Sequence, residues 1–121
     1  MARILVVDNA AFMRSCMKYI AENAGHEVVG MAKGGKEAVD LYRRVRPDLV
    51  VLDILMEDGG GMEALATIMK EDPRAKVIMV SALGQDQVQE EARRLGAIGY
   101  IRKPFKPDEI VQELKRVLTQ G

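Results

Sequence analysis

The sequence has little of what a disulfide, a zinc cluster or an aromatic core would need. Its 121 residues include one cysteine, one histidine, no tryptophan, three tyrosines and two phenylalanines. Cys16 alone excludes an internal disulfide and suits a reducing compartment. His26 has no second His or Cys near it in the sequence, so nothing indicates zinc. An excess of one charge is missing too. Eighteen Lys and Arg balance eighteen Asp and Glu, which gives no overall bias toward nucleic acid or an anionic membrane. No apolar run approaches the ~18 residues of a membrane span, and the start lacks the layout of a signal peptide. These absences make the cytoplasm the expected compartment, with neither nucleic acid nor membrane as partner. Gly34-Gly35 and Gly59-Gly60-Gly61 lack the Lys-Ser/Thr that follows a phosphate loop, and no dinucleotide fingerprint follows the first apolar run.

What is present is alternation. Short β-branched runs predict strands near 3–7, 27–32, 48–52, 76–80 and 98–102, and amphipathic stretches predict helices near 10–24, 35–45, 62–71, 85–95 and 107–119. Gly25 and Gly96 follow two of the helices, Pro47 follows a third and Pro73 closes a fourth. In the last helix Ile110, Val111, Leu114, Val117 and Leu118 form one apolar stripe. Met13, Met17, Met69 and Met79 read as core filler, and Cys16 as a packing residue of the first helix. Five strand–helix units predict an α/β domain with a five-stranded parallel sheet, helices on both faces, over residues 1–121. Runs 4–7, 49–52 and 77–80 are almost wholly apolar and belong at the centre. Runs 27–32 and 98–102 are mixed and belong at the edges. With right-handed crossovers this gives a doubly wound order 2-1-3-4-5.

Each central run and the last one ends on a polar residue: Asp8, Asp53, Ser81 and Lys103. In an open parallel sheet, ligands bind beyond the carboxyl ends of the strands, so two acids, a hydroxyl and an amine converge on one rim. Paired carboxylates need a compensating cation and suit a hard ion such as Mg²⁺. Backbone N–H groups after the fourth strand would add anion donors. An Asp carboxylate is also a competent nucleophile toward phosphorus. A lone Asp after a strand is commonly a turn residue, and Asn9 reads as an N-cap for the first helix. Four such residues on one rim favour a phosphoryl site.

The runs Ile4-Leu5-Val6-Val7-Asp8, Leu49-Val50-Val51-Leu52-Asp53-Ile54, Val80-Ser81-Ala82 and Gly96-Ala97 through Tyr100-Ile101-Arg102-Lys103-Pro104-Phe105 resemble, in order and spacing, the receiver domain of two-component response regulators. Within that family they are most similar to the stand-alone chemotaxis regulators. The resemblance covers the whole chain and implies a flavodoxin-like, three-layer α/β/α fold in the same 2-1-3-4-5 order. It implies Asp53 as phosphoacceptor, Lys103 as the site lysine, Ser81 as switch hydroxyl and Tyr100 as switch aromatic. It further implies the Ala82 N–H as a phosphoryl donor and a cis Lys103–Pro104 bond. Mg²⁺ would be held by Asp8, Asp53 and the Leu55 carbonyl, with Asn9 as a weakened ligand. The implied partners are a sensor histidine kinase, a downstream output protein such as a flagellar switch, and a phosphatase; the implied state is a monomer. Its only catalysis would be its own phosphorylation and dephosphorylation.

Departures from the family pattern leave alternatives open. Asn9 stands where receivers carry a second acid, Glu57 where they carry proline, and Gly60 where they carry Asp or Asn. Glu57 or Asp58 could replace the missing charge. Alternatively, the chain is a pseudo-receiver that binds protein without phosphorylation. A phosphohydrolase with an aspartyl nucleophile is a further alternative, disfavoured because the chain is too short for a cap. Leu55 and Leu83 match the positions that flank attacking water, and both are apolar, so slow self-dephosphorylation is expected.

Overall fold

The computed structural model describes residues 1–56, 60–82 and 86–120. Glu57, Asp58, Gly59 and Leu83 therefore lie outside the described residues. The elements alternate as β1 (Arg3–Val7), α1 (Ala11–Asn23), β2 (Glu27–Ala32), α2 (Gly35–Val45), β3 (Leu49–Asp53), α3 (Gly61–Glu71), β4 (Val77–Ser81), α4 (Asp86–Arg94), β5 (Gly99–Arg102) and α5 (Pro107–Leu118). All strands are parallel, in the order β2-β1-β3-β4-β5. The mixed runs are the two edges, as their composition predicts.

Side-chain alternation along each strand divides the core. Leu5, Val7, Val50, Leu52 and Met79 point to one face and pack with Ala38, Tyr42, Ala64, Leu65, Ile68 and Ala92 from α2, α3 and α4. Ile4, Val6, Leu49, Val51, Ile78 and Val80 point to the other and pack with Met17 and Ala21 of α1 and Ile110, Leu114 and Val117 of α5. Of the five-residue stripe predicted for α5, three are buried. Val111 is 37% exposed, at the margin of the buried arc. Met17 and Met79 are buried, while Met13, Met69 and Cys16 are half-buried.

Helix ends follow local chemistry. Gly25 and Gly96 adopt φ +93° and +113°. Past them, the His26 N–H donates to Ala21 O at 3.1 Å and the Ala97 N–H to Ala92 O at 2.9 Å, closing the last turns of α1 and α4. His26 sits between α1 and β2, where its Nδ1 accepts from the Ala2 N–H. Arg3 donates to the carbonyls of Val45 and Arg46 and so satisfies the C-terminus of α2. One local expectation is corrected. Ala10, not Asn9, is the N-cap of α1 and makes no side-chain cap, and Asn9 is exposed. The first turn is instead entered through Asp8, whose Oδ1 accepts from the Ala10 N–H at 2.9 Å.

Gly61 begins α3 against the end of β3. Its N–H donates to Ile54 O at 2.8 Å. A β-carbon there would stand 2.7 Å from Ile54 Cα and closer still to the Asp53 carbonyl oxygen. Backbone on both sides leaves nothing flexible to move aside. Gly61→Ala should therefore cost about 1–3 kcal/mol, the range of a forced backbone shift, read as a lower midpoint in urea unfolding. An unchanged midpoint would mean that α3 can back away from β3.

Candidate functional site

The two-residue period that divides the core also assembles the rim. Asp8 continues the Ile4–Val6 side of β1, Asp53 the Leu49–Val51 side of β3, and Lys103 the Ile101 side of β5, so all three face the α1/α5 layer. Ser81 continues the Val77–Met79 side of β4 and faces the opposite layer, as does Tyr100, which pairs with Met79. The ladder extends through the polar residues themselves. Asp53 pairs with Val80 and Ser81 with Arg102, so β3 and β4 each run one residue beyond the predicted ends.

Lys103 Nζ lies 3.0 Å from Asp8 Oδ2 and 3.2 Å from Asp53 Oδ2. Asp8 and Asp53 are buried, at 6% and 5% exposure. The Lys103–Pro104 peptide bond is cis, as the family resemblance implies. The remaining carboxylate oxygens are held by the backbone: Asp8 Oδ1 by the Ala10 N–H and Asp53 Oδ1 by the Leu55 N–H at 3.3 Å. Burial, and then the charge of Asp8, push the Asp53 carboxyl above its ordinary pKa, while Lys103 and the Leu55 N–H pull the other way. Burial alone would lower the pKa of Lys103, but its contacts with Asp8 and Asp53 outweigh it and hold the amine above its ordinary value. Two carboxylates sharing one ammonium leave the rim short of positive charge.

Other predicted residues occupy the surroundings. Ser81 is fully buried and Tyr100 half-buried, on the α4 side. Ala82 is exposed at the end of β4, and Leu55, two residues past Asp53, is 55% exposed. Asn9 is next to Asp8 at the surface and makes no cap. Two residues that the sequence reading passed over matter here. Arg14 Nη1 donates to the Asp8 carbonyl at 2.8 Å and fixes the chain as it leaves β1. Its signal is a cation on the first turn of the helix that follows the site strand. Gly61 sets the backbone of Asp53, and only the close approach of α3 reveals it.

The donor set suits a hard divalent cation. It offers the carboxylates of Asp8 and Asp53, both oxygen donors, at a rim with too little positive charge. Among the described residues, no three His, Cys, Asp or Glu side chains cluster as a metal cage would. An ion held by two carboxylates would keep several waters.

The sequence and the structure both have known counterparts. Residues 4–115 match the model of the response regulator receiver domain. The chemotaxis protein CheY of Thermotoga maritima is 47% identical over 115 residues, covering 95% of this chain and 96% of that protein. CheY of Listeria monocytogenes is 47% identical over 116 residues, covering 96% and 98%. A CheX–CheY–BeF3–Mg²⁺ complex from Borrelia burgdorferi has a chain that superposes with a TM-score of 0.95 at 32% identity, covering 98% of this chain and 90% of that one. No helix among the described residues is long and apolar enough to cross a membrane. Rim geometry, strand order and these matches agree, and the chain belongs to the response regulator receiver domain family.

Proposed function

We propose that the protein is a phosphorylation-switched signalling module whose acceptor is Asp53. The convergence of Asp8 and Asp53 on Lys103 Nζ, at 3.0 and 3.2 Å at the carboxyl rim of the sheet, carries the reading. A carboxylate oxygen of Asp53 attacks the phosphorus of a histidine kinase's phosphohistidine in line. The P–N bond breaks, its electron pair goes to the imidazole nitrogen, and an acyl phosphate forms on Asp53. Asp8, Asp53 and the Leu55 carbonyl would hold Mg²⁺, which when bound screens the approach of two anions. Lys103 and the Ala82 N–H take up the phosphoryl oxygens. Ser81 and Tyr100 respond on the α4 side of the sheet, and the α4–β5–α5 surface is what an output protein reads. Phe12 and Tyr19, 76% and 70% exposed on α1, offer an apolar approach for the phosphodonor protein. On this reading the module turns over no substrate of its own and works inside the cell, with a kinase upstream and a chemotaxis-type or other output protein downstream.

Incubation with Mg²⁺ and a small phosphodonor, read by intact mass, tests the acceptor. One phosphoryl adduct should form on the wild type, and none on Asp53→Ala or in excess chelator. An adduct that persists in either would place the acceptor elsewhere.

Asn9 sets the strength of the metal site. Restoring the acid with Asn9→Asp should tighten Mg²⁺ binding by roughly 1–2 kcal/mol, the Coulomb gain of one close charge at an effective dielectric near 20 after partial compensation. Equal or weaker binding in the variant would mean that the charge is already supplied. If neither protein binds Mg²⁺ nor accepts phosphate, the pseudo-receiver reading takes over.

The lifetime of the adduct depends on how water reaches it. The exposed Leu55 side chain has no group to orient a water beside Asp53. Self-dephosphorylation should therefore be slow, with a separate phosphatase ending the signal. Leu55→Asn should speed decay of the adduct by about tenfold, since positioning one water is worth one to two orders of magnitude. Decay at the wild-type rate would remove the reason for a phosphatase.

A further inference from the structure

β5 is the last strand of the sheet, with no strand on its outer side among the described residues. An edge of this kind presents amide and carbonyl groups to which another extended chain can add. Here α5 takes up two of them. The Tyr100 N–H donates to Glu113 Oε2 at 3.1 Å, and the Ile98 carbonyl accepts from Arg116 Nη2 at 2.8 Å. The two side chains also hold each other, Arg116 Nε to Glu113 Oε1 at 2.7 Å and Nη2 to Oε2 at 3.0 Å.

The geometry is that of a ladder. In a parallel pair, one residue of the neighbouring strand donates to the carbonyl that precedes its opposite residue and accepts from the N–H that follows it. The residue between Ile98 and Tyr100 is Gly99. Arg116 and Glu113 thus supply, opposite Gly99, the donor and the acceptor that one residue of a sixth strand would supply. Gly99 is the clearance that admits them. A β-carbon there would stand 2.7 Å from Glu113 Oε2, 3.0 Å from Ile78 Cγ1 on β4 and 3.3 Å from Arg116 Nη2. The Glu113 side chain is only 18% exposed, so these bonds are partly shielded from water. Arg116 first, and the Tyr100 N–H with it, hold the Glu113 carboxyl below the usual range against the effect of burial.

We propose that Glu113 and Arg116 act as a surrogate strand: they close the β5 edge, fix the main chain of Tyr100 and exclude strand addition by a second copy of this chain. Glu113 is a positioning residue, remote from the carboxylate rim, and its role stands independently of the phosphorylation reading.

Hydrogen exchange at the Tyr100 amide, followed by NMR, reads this clasp directly. In Glu113→Ala the exchange should accelerate about tenfold, as for an amide that loses a restraining bond, while Val51 and Met79 in the central strands keep their protection. Glu113→Gln retains an acceptor at the same place and should restore most of it. Gly99→Ala leaves both charges in the chain but pushes the pair off the strand, and should reproduce the fast exchange. Sedimentation velocity over a concentration series reads the edge itself. The wild type and Glu113→Gln should sediment as monomers, and the Glu113→Ala, Arg116→Ala double variant as larger species as concentration rises. Unchanged Tyr100 exchange in both Glu113→Ala and Gly99→Ala would overturn the clasp. A double variant with fast Tyr100 exchange that stays monomeric throughout would overturn the exclusion of a second strand.

Discussion

Two buried carboxylates sharing one ammonium is the interaction on which the rest of this structure depends. Asp8 and Asp53 are each within hydrogen-bond distance of Lys103 Nζ, and all three lie where water is scarce. The rim therefore carries about one uncompensated negative charge, and the raised pKa of Asp53 expresses the strain. Attaching a phosphoryl group, which brings ~−1.5 to −2 of charge, would worsen the imbalance unless cations and donors were close. The elements that surround the rim then have a common purpose. Arg14 fixes the exit of β1, Gly61 lets α3 press on the backbone of Asp53, and the Ala10 and Leu55 N–H groups occupy the oxygens that Lys103 does not.

Much of this was legible because a parallel sheet writes its topology in side chains. Wholly apolar runs marked the three central strands, mixed runs marked the edges, and the polar residue that ended each run marked the rim. The misreadings have physical causes. Strands β3 and β4 continue through Asp53 and Ser81 because the ladder is a backbone property, and apolarity stops one residue sooner. Asn9 has the chemistry of a cap but not the position, since Asp8 serves the first turn from one residue earlier. Val111 fits the α5 stripe by period yet lies outside the arc that the sheet covers. Gly61 stood out in sequence only as part of a glycine run that is no phosphate loop. Its actual role, a close approach of α3 to β3, depends on residues that only the fold brings together.

The two faces of the sheet divide the work. The rim triad lies on the α1/α5 face, and Ser81 and Tyr100 on the α4 face, separated by the thickness of one pleat. A charge added at Asp53 is felt across β4, where Val80 faces the site side and Ser81 the other. Alternation thus puts the chemistry and its proposed readout on adjacent strands without placing them in one pocket.

Restraint decides what can move when that charge changes. The main chain of Tyr100 is held by β4 on one side and by Glu113 on the other, so the strand itself has little freedom. The links from β5 to α4 are of a different kind. Arg102 reaches Asp86 and Gln89 at 3.4 and 3.3 Å, with Asp86 fully exposed, and exposed pairs of that length contribute little. A rearrangement that begins at Ser81 therefore meets a stiff boundary toward α5 and a soft one toward α4. On the proposed reading, the ring of Tyr100 and the position of α4 are what shift, and the backbone of β5 with α5 is the frame against which they move.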